Sequence, residues 1–122
     1  MSRAEVLDRA TVEWMHQLGL VERLYPAFVE GVSEQLAAVR SALAVGEQAA
    51  ALRLVHRLRG SAAQLGASAL ARVLAELEEA LAQGAGGHEL FAGAALCEVV
   101  AETSAALRAE VEAARADRLT RG

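Results

Sequence analysis

Apolar residues recur at every third or fourth position through four long stretches of this chain, and glycines separate the stretches. That spacing follows the 3.6-residue turn of a helix and not the two-residue alternation of a strand. Phe28, Val32, Leu36, Val39 and Leu43 make the first stripe, and Ala51, Val55, Leu58, Ala62 and Leu65 the second. Leu70, Leu74, Leu77 and Leu81 make the third, and Leu96, Val100, Thr103, Leu107 and Val111 the fourth. These stripes predict helices over about residues 21–43, 47–65, 68–83 and from 88 past 115. Gly19, Gly46, Gly66 and the run Gly84-Ala85-Gly86-Gly87 mark the breaks, and Ser68 is the expected N-cap after the third break. A shorter helix is expected over 9–18, and Pro26 falls near the start of the first long helix, where a missing N–H is tolerated.

Short links between long amphipathic helices make neighbours antiparallel. The expected fold is therefore all-α: an up-down-up-down four-helix bundle with a short additional N-terminal helix. One domain should occupy residues 1–122, with a core bundle over about 21–115 and a frayed tail over 116–122. Composition agrees, since the 54% hydrophobic content is mostly alanine and leucine and aromatics make up only 3%. That palette suits closely packed helices better than sheets. Trp14 and Tyr25 are expected as packing residues, and the single cysteine, Cys97, as a small core residue that excludes an internal disulfide.

No stretch approaches the roughly 18–20 apolar residues of a membrane span. Met1 to Ala10 carries charges of both signs and no apolar segment, unlike a signal peptide. A cytoplasmic protein is expected, and the Met-Ser start favours a free-standing chain over an excised domain. Net charge is −4, unevenly spread. Between Glu47 and Glu76 there is no acid, while Arg53, Arg57, Arg59 and Arg72 all fall there. A basic island on an acidic chain points to one local anionic partner. General nucleic-acid binding would need more positive charge and aromatic platforms.

On a helical wheel His56 lies about 140° from the apolar stripe of its helix, facing water. Leu52 and Ala63 flank it, Arg59 lies between it and the core, and Gly60 sits one turn on. A glycine inside a helix costs about 1 kcal/mol relative to alanine, so Gly60 needs a reason. It points away from the core, which argues against close packing and for access by something bulky to His56. His16 and His88 have no metal-ligand spacing and are expected as surface residues. Arg72 and Glu76 are expected to form an exposed i,i+4 pair.

The run Val55-His56-Arg57-Leu58-Arg59-Gly60-Ser61-Ala62-Ala63-Gln64-Leu65-Gly66-Ala67 resembles the signature of the histidine phosphotransfer (Hpt) family. The pattern is a histidine, a basic residue three later, glycine four later, small residues, then a Leu-Gly-Ala turn. The stretch from Leu70 to Glu79 resembles the next family helix, and the upstream spacing fits the family layout. The resemblance implies His56 as phosphoacceptor, Arg59, at the basic position usually held by lysine, as the charge that pairs with the phosphoryl oxygens, Gly60 as the residue that leaves room, and Glu78 as partner of the imidazole. It implies a phosphocarrier with no ATP site and no cofactor of its own, and magnesium is expected on the partner. The implied partner is a receiver domain of a response regulator or of a hybrid sensor kinase, with no nucleic acid, membrane or small-molecule substrate. Leu52, Arg53, Arg57, Ala63 and Gln64 are expected to form the docking patch, an apolar centre inside a charged rim. Two other readings remain open: a four-helix adaptor that never carries phosphate, and the phosphoacceptor domain of a larger sensor kinase.

Overall fold

The computed structural model describes residues 6–84 and 94–121. Five helices follow one another: α1 (Arg9–Gln17), α2 (Val21–Ala44), α3 (Gln48–Gln64), α4 (Ser68–Ala82) and α5 (Ala94–Arg121). α3 packs against α2 and α4, and α5 packs against the same two helices, which closes an antiparallel four-helix bundle. The stripes read from the sequence face inward: Phe28, Val32, Leu36, Val55, Leu58, Leu70, Leu74, Leu107 and Val111 are all buried.

Helix ends explain the tight turns. After α1, α2 and α3 the chain closes with the same long-reach bond: Leu20 N–H to Met15 O at 3.0 Å, Glu47 N–H to Ala42 O at 2.8 Å, and Ala67 N–H to Ala62 O at 2.8 Å. This closure needs a left-handed residue, and Gly66 supplies it at φ +83°. A Cβ there would also meet Thr11 Cβ at 3.1 Å, so position 66 is constrained by space as well as by conformation. Ser68 is not the N-cap; α4 begins on it, Ala67 precedes it with no side-chain cap, and the Ser68 hydroxyl turns to the Val6 carbonyl at 3.5 Å. The helix starts at Val21 as expected, but that puts Pro26 inside α2, beyond the first-turn residues whose N–H groups are free, so the helix-start reading of this proline gives way.

α1 lies across the turn between α3 and α4. Asp8 N–H donates to Gly66 O at 2.7 Å, and the buried Tyr25 hydroxyl donates to Leu65 O at 2.9 Å. Asp8 caps α1 through Thr11 N–H at 3.3 Å. Val6 and Leu7, to which the sequence assigned no role, are buried in the core ahead of α1.

Three further expectations give way. The tail does not fray at residue 116: α5 runs to Arg121, and Arg118 donates to Glu22 on α2 at 3.0 and 3.2 Å. Trp14 is 59% exposed, because α1 buries Val12 and Met15 and turns its other side outward. Cys97 is exposed, because Leu96 and Val99 take the inward positions of that turn. The expected start of the last helix near His88, and most of the glycine run, lie outside the described residues. Among the described residues no helix is long and apolar enough to cross a membrane.

Candidate functional site

His56 stands on the outer face of α3, with its side chain 65% exposed. The residues that put it there are its neighbours in sequence: Val55 and Leu58 turn inward and fix the rotation of the helix. Gly60 is exposed one turn on, and a Cβ built on it meets nothing within 4 Å. The flank of the imidazole is therefore open, with no side chain beside it on that edge.

Glu78 comes from α4, the helix packed against α3, and its Oε2 lies 2.5 Å from His56 Nδ1. Its other oxygen, Oε1, lies 2.6 Å from Arg59 Nε. Arg59 Nη2 in turn approaches His56 Nδ1 at 3.2 Å. These three contacts cannot all be hydrogen bonds. A carboxylate only accepts and a guanidinium only donates, so Nδ1 must serve one of them. The shorter contact decides: Nδ1 carries the proton and donates to Glu78, and Arg59 is held to Glu78 by charge. Arg59 Nε is shielded from water and makes no aligned hydrogen bond, as expected of a close ion contact with poor angles. In the neutral ring Nε2 is then the nitrogen without a proton, and it has no hydrogen-bond partner among the described residues.

Leu52, Arg53, His56, Arg57 and Glu78 line one shallow depression. Leu52 is half-buried and packs against the core, so it forms the apolar floor while Arg53 and Arg57 stand at the exposed rim. Ala63 and Gln64 are exposed on the same helix but beyond the depression. Two other grooves run between α2 and α5 past Val29 and Arg108, and none of the residues that line them belongs to the His56 site.

Sequence reading missed a second polar cluster. Glu110 on α5 is almost buried; it accepts from both terminal guanidinium nitrogens of Arg9 at 3.0 Å and lies 2.8 Å from His16 Nε2. The Arg9 fork holds its carboxyl below the usual carboxylate range; burial pushes the other way, and His16 adds to the lowering. His16 is thus a tether of α1 and not a free surface residue. The only clue in the sequence is that Glu110 falls three residues after Leu107 and next to Val111, on the apolar side of its helix. Among the described residues no group of three His, Cys, Asp or Glu side chains is placed to hold a metal ion.

The Hpt domain family model matches residues 23–117, which takes in α2, α3, α4 and most of α5. The chain belongs to the Hpt domain family. Membership makes it a histidine phosphotransfer module of phosphorelay signalling; members of this family are phosphocarriers, not kinases, and interact with receiver domains of two-component systems. No curated protein and no solved structure matches the chain.

Proposed function

We propose that His56 is the phosphoacceptor and relays a phosphoryl group between receiver aspartates. The observation that carries this reading is the His56 ring itself, exposed, with Nδ1 on Glu78 and a bare Nε2 beside the open flank at Gly60. Neutral imidazole is a competent nucleophile near neutral pH. The Nε2 lone pair attacks phosphorus of the receiver's acyl phosphate, the phosphorus–oxygen bond breaks, and the aspartate carboxylate leaves with its electron pair. The proton stays on Nδ1, so the phosphorylated ring is cationic and faces the Glu78 carboxylate. Transfer to a second receiver runs the same step in reverse. The divalent cation and acidic acceptor site of such a transfer belong to the receiver.

Docking follows from the depression. Leu52 offers an apolar contact, and Arg53 and Arg57 offer positive charge to an acidic rim, with Ala63 and Gln64 extending the contact along α3. The test mixes the protein with a phosphorylated receiver and magnesium and looks for a base-stable, acid-labile phosphoryl adduct. Label on the wild-type protein and none on His56→Gln is the expected result. No label on either, or equal label on both, ends the proposal.

A further inference from the structure

The side of the bundle away from His56 carries a long groove. α3 and α4 form one side and bring His56 and Glu78 together, and α2 and α5 form the opposite one. Two stripes line the groove and run antiparallel: Arg40, Leu36 and Val29 along α2, beside Cys97, Val100 and Arg108 along α5. Val29 and Val100 are half-buried and pack against the core, and Leu36 is buried, so the floor is apolar. The crest of α5 is low there, because Cys97, Ala101 and Ser104 are small. Small side chains let a neighbouring helix approach closely.

Charge is unevenly spread along this groove. At one end Arg40 stands beside Cys97, and no acid lines that stretch. At the other end Glu30 and Glu112 are both present, and Arg115 there is drawn to Glu22 at 3.6 Å. We propose that this face binds a second copy of the chain, as a two-fold dimer in which the α5 helices lie antiparallel and each sits over the groove of the other. A two-fold interface joins one patch to itself, so it suits a patch whose two ends are complementary. Ser104 falls midway between Cys97 and Glu112. With the axis beside it, the Glu112 carboxylate of each copy comes level with Arg40 of the other. In the single chain Glu112 is exposed and holds Arg115 at 3.2 Å, a surface pair that contributes little and is easily exchanged. An acidic helix from another protein would suit Arg40 and Arg108 but would be repelled by Glu30 and Glu112. A second copy matches both ends.

The stretch from Cys97 to Glu112 is about 22 Å long at 1.5 Å per residue, and the face is two helices wide. A footprint of that size lies at the small end of specific interfaces, so the dimer is reversible and depends on concentration. Both His56 side chains stay on the outer faces of the pair, open to approach from opposite sides. Nothing in the association depends on what His56 carries.

Sedimentation velocity on the full chain tests this. The wild type should pass from one chain to two as its concentration rises towards the millimolar range. Arg40→Glu and Glu112→Arg should each weaken the dimer at least tenfold, because like charges then meet across the axis. The double variant Arg40→Glu/Glu112→Arg should restore it, because its pairs are reversed but still matched. Equal helical circular dichroism across the set shows that the fold is kept. Cys97 gives a reading on the unaltered protein. It is exposed in the single chain and lines the groove, so its reaction with iodoacetamide should slow as the dimer forms. A protein that stays a single chain at every concentration overturns the proposal. So does a dimer that the two single charge reversals leave unchanged, a double variant no tighter than the single ones, or a dimer in which Cys97 reacts at the monomer rate. The Cys97 reading still decides the matter where a charge variant fails to fold.

Discussion

At the scale of single residues, the site depends on one position having no side chain. Gly60 sits where leucine would be a better helix former by about 0.5–1 kcal/mol, and a Cβ there meets nothing in the folded protein. Gly60→Leu should therefore raise the urea midpoint slightly and yet cut phosphotransfer at least tenfold. Transfer at the wild-type rate would remove the steric role given to this glycine. Thr103 is the opposite case. It is buried in α5 and its hydroxyl has no hydrogen-bond partner among the described residues. A buried unpaired polar group costs about 1–3 kcal/mol, so Thr103→Val, which keeps the shape, should stabilise the protein by about 1 kcal/mol in urea unfolding. A loss of stability would mean that the hydroxyl has a partner after all. Glu78 flanks the core of α4 and was readable as a candidate from the family resemblance; its contact with His56 depends on the packing of α4 against α3.

At the scale of helices, α1 is attached to the bundle by one carboxylate as well as by its buried Val12 and Met15. Glu110 of α5 binds Arg9 and His16, at the two ends of α1, and the Asp8–Gly66 bond adds a backbone tie. Glu110→Gln keeps the shape but removes the charge, and should cost about 1–2 kcal/mol, because Arg9 is half-exposed and water screens part of the loss. The pH dependence has a definite sign. The folded carboxyl lies below its unfolded value of about 4.3, so its contribution is full above that pH and is lost as acid titrates the folded form. The Glu22 carboxyl, lowered first by its bond to Arg118, acts in the same direction. The melting temperature of the wild type should fall steeply below about pH 4, and that of Glu110→Gln should fall less. Parallel acid limbs in the two proteins would show that Glu110 carries no such linkage. The same bonding between distant segments explains the tail: Glu22 engages Arg118, and also Arg115 at 3.6 Å, which ties the last turns of α5 to α2.

At the scale of the whole molecule, the buried Tyr25 reports on the integrity of the bundle. Burial pushes its hydroxyl up to about 12, against an unfolded value near 10. A group raised in this way gives its full stability below the unfolded value and loses it as pH climbs towards the folded one. Stability should therefore drop between about pH 10 and pH 12, and Tyr25→Phe should flatten that alkaline limb. Tyr25 is the only tyrosine, so tyrosinate absorbance follows this one group. Titration near pH 10 with the fold intact would contradict its burial. The substitution also leaves the Leu65 carbonyl without its 2.9 Å donor, so a neutral-pH loss of about 1 kcal/mol is expected as well.

The sequence by itself determined much of what a single helix decides. A rise of about 1.5 Å and a turn of 100° per residue fix which side chains share a face, so the inward stripes, the outward His56 and the bare flank at Gly60 were all legible. Glycine turns, which are local, were legible for the same reason. Tertiary structure alone decided what meets across helices: Glu78 with His56 and Arg59, Glu110 with Arg9 and His16, and Arg118 with Glu22. It also turned Trp14 and Cys97 outward and kept the tail helical. Those contacts depend on how far each helix slides and rotates against its neighbours. That is set by the packing of the whole core, which no local period encodes.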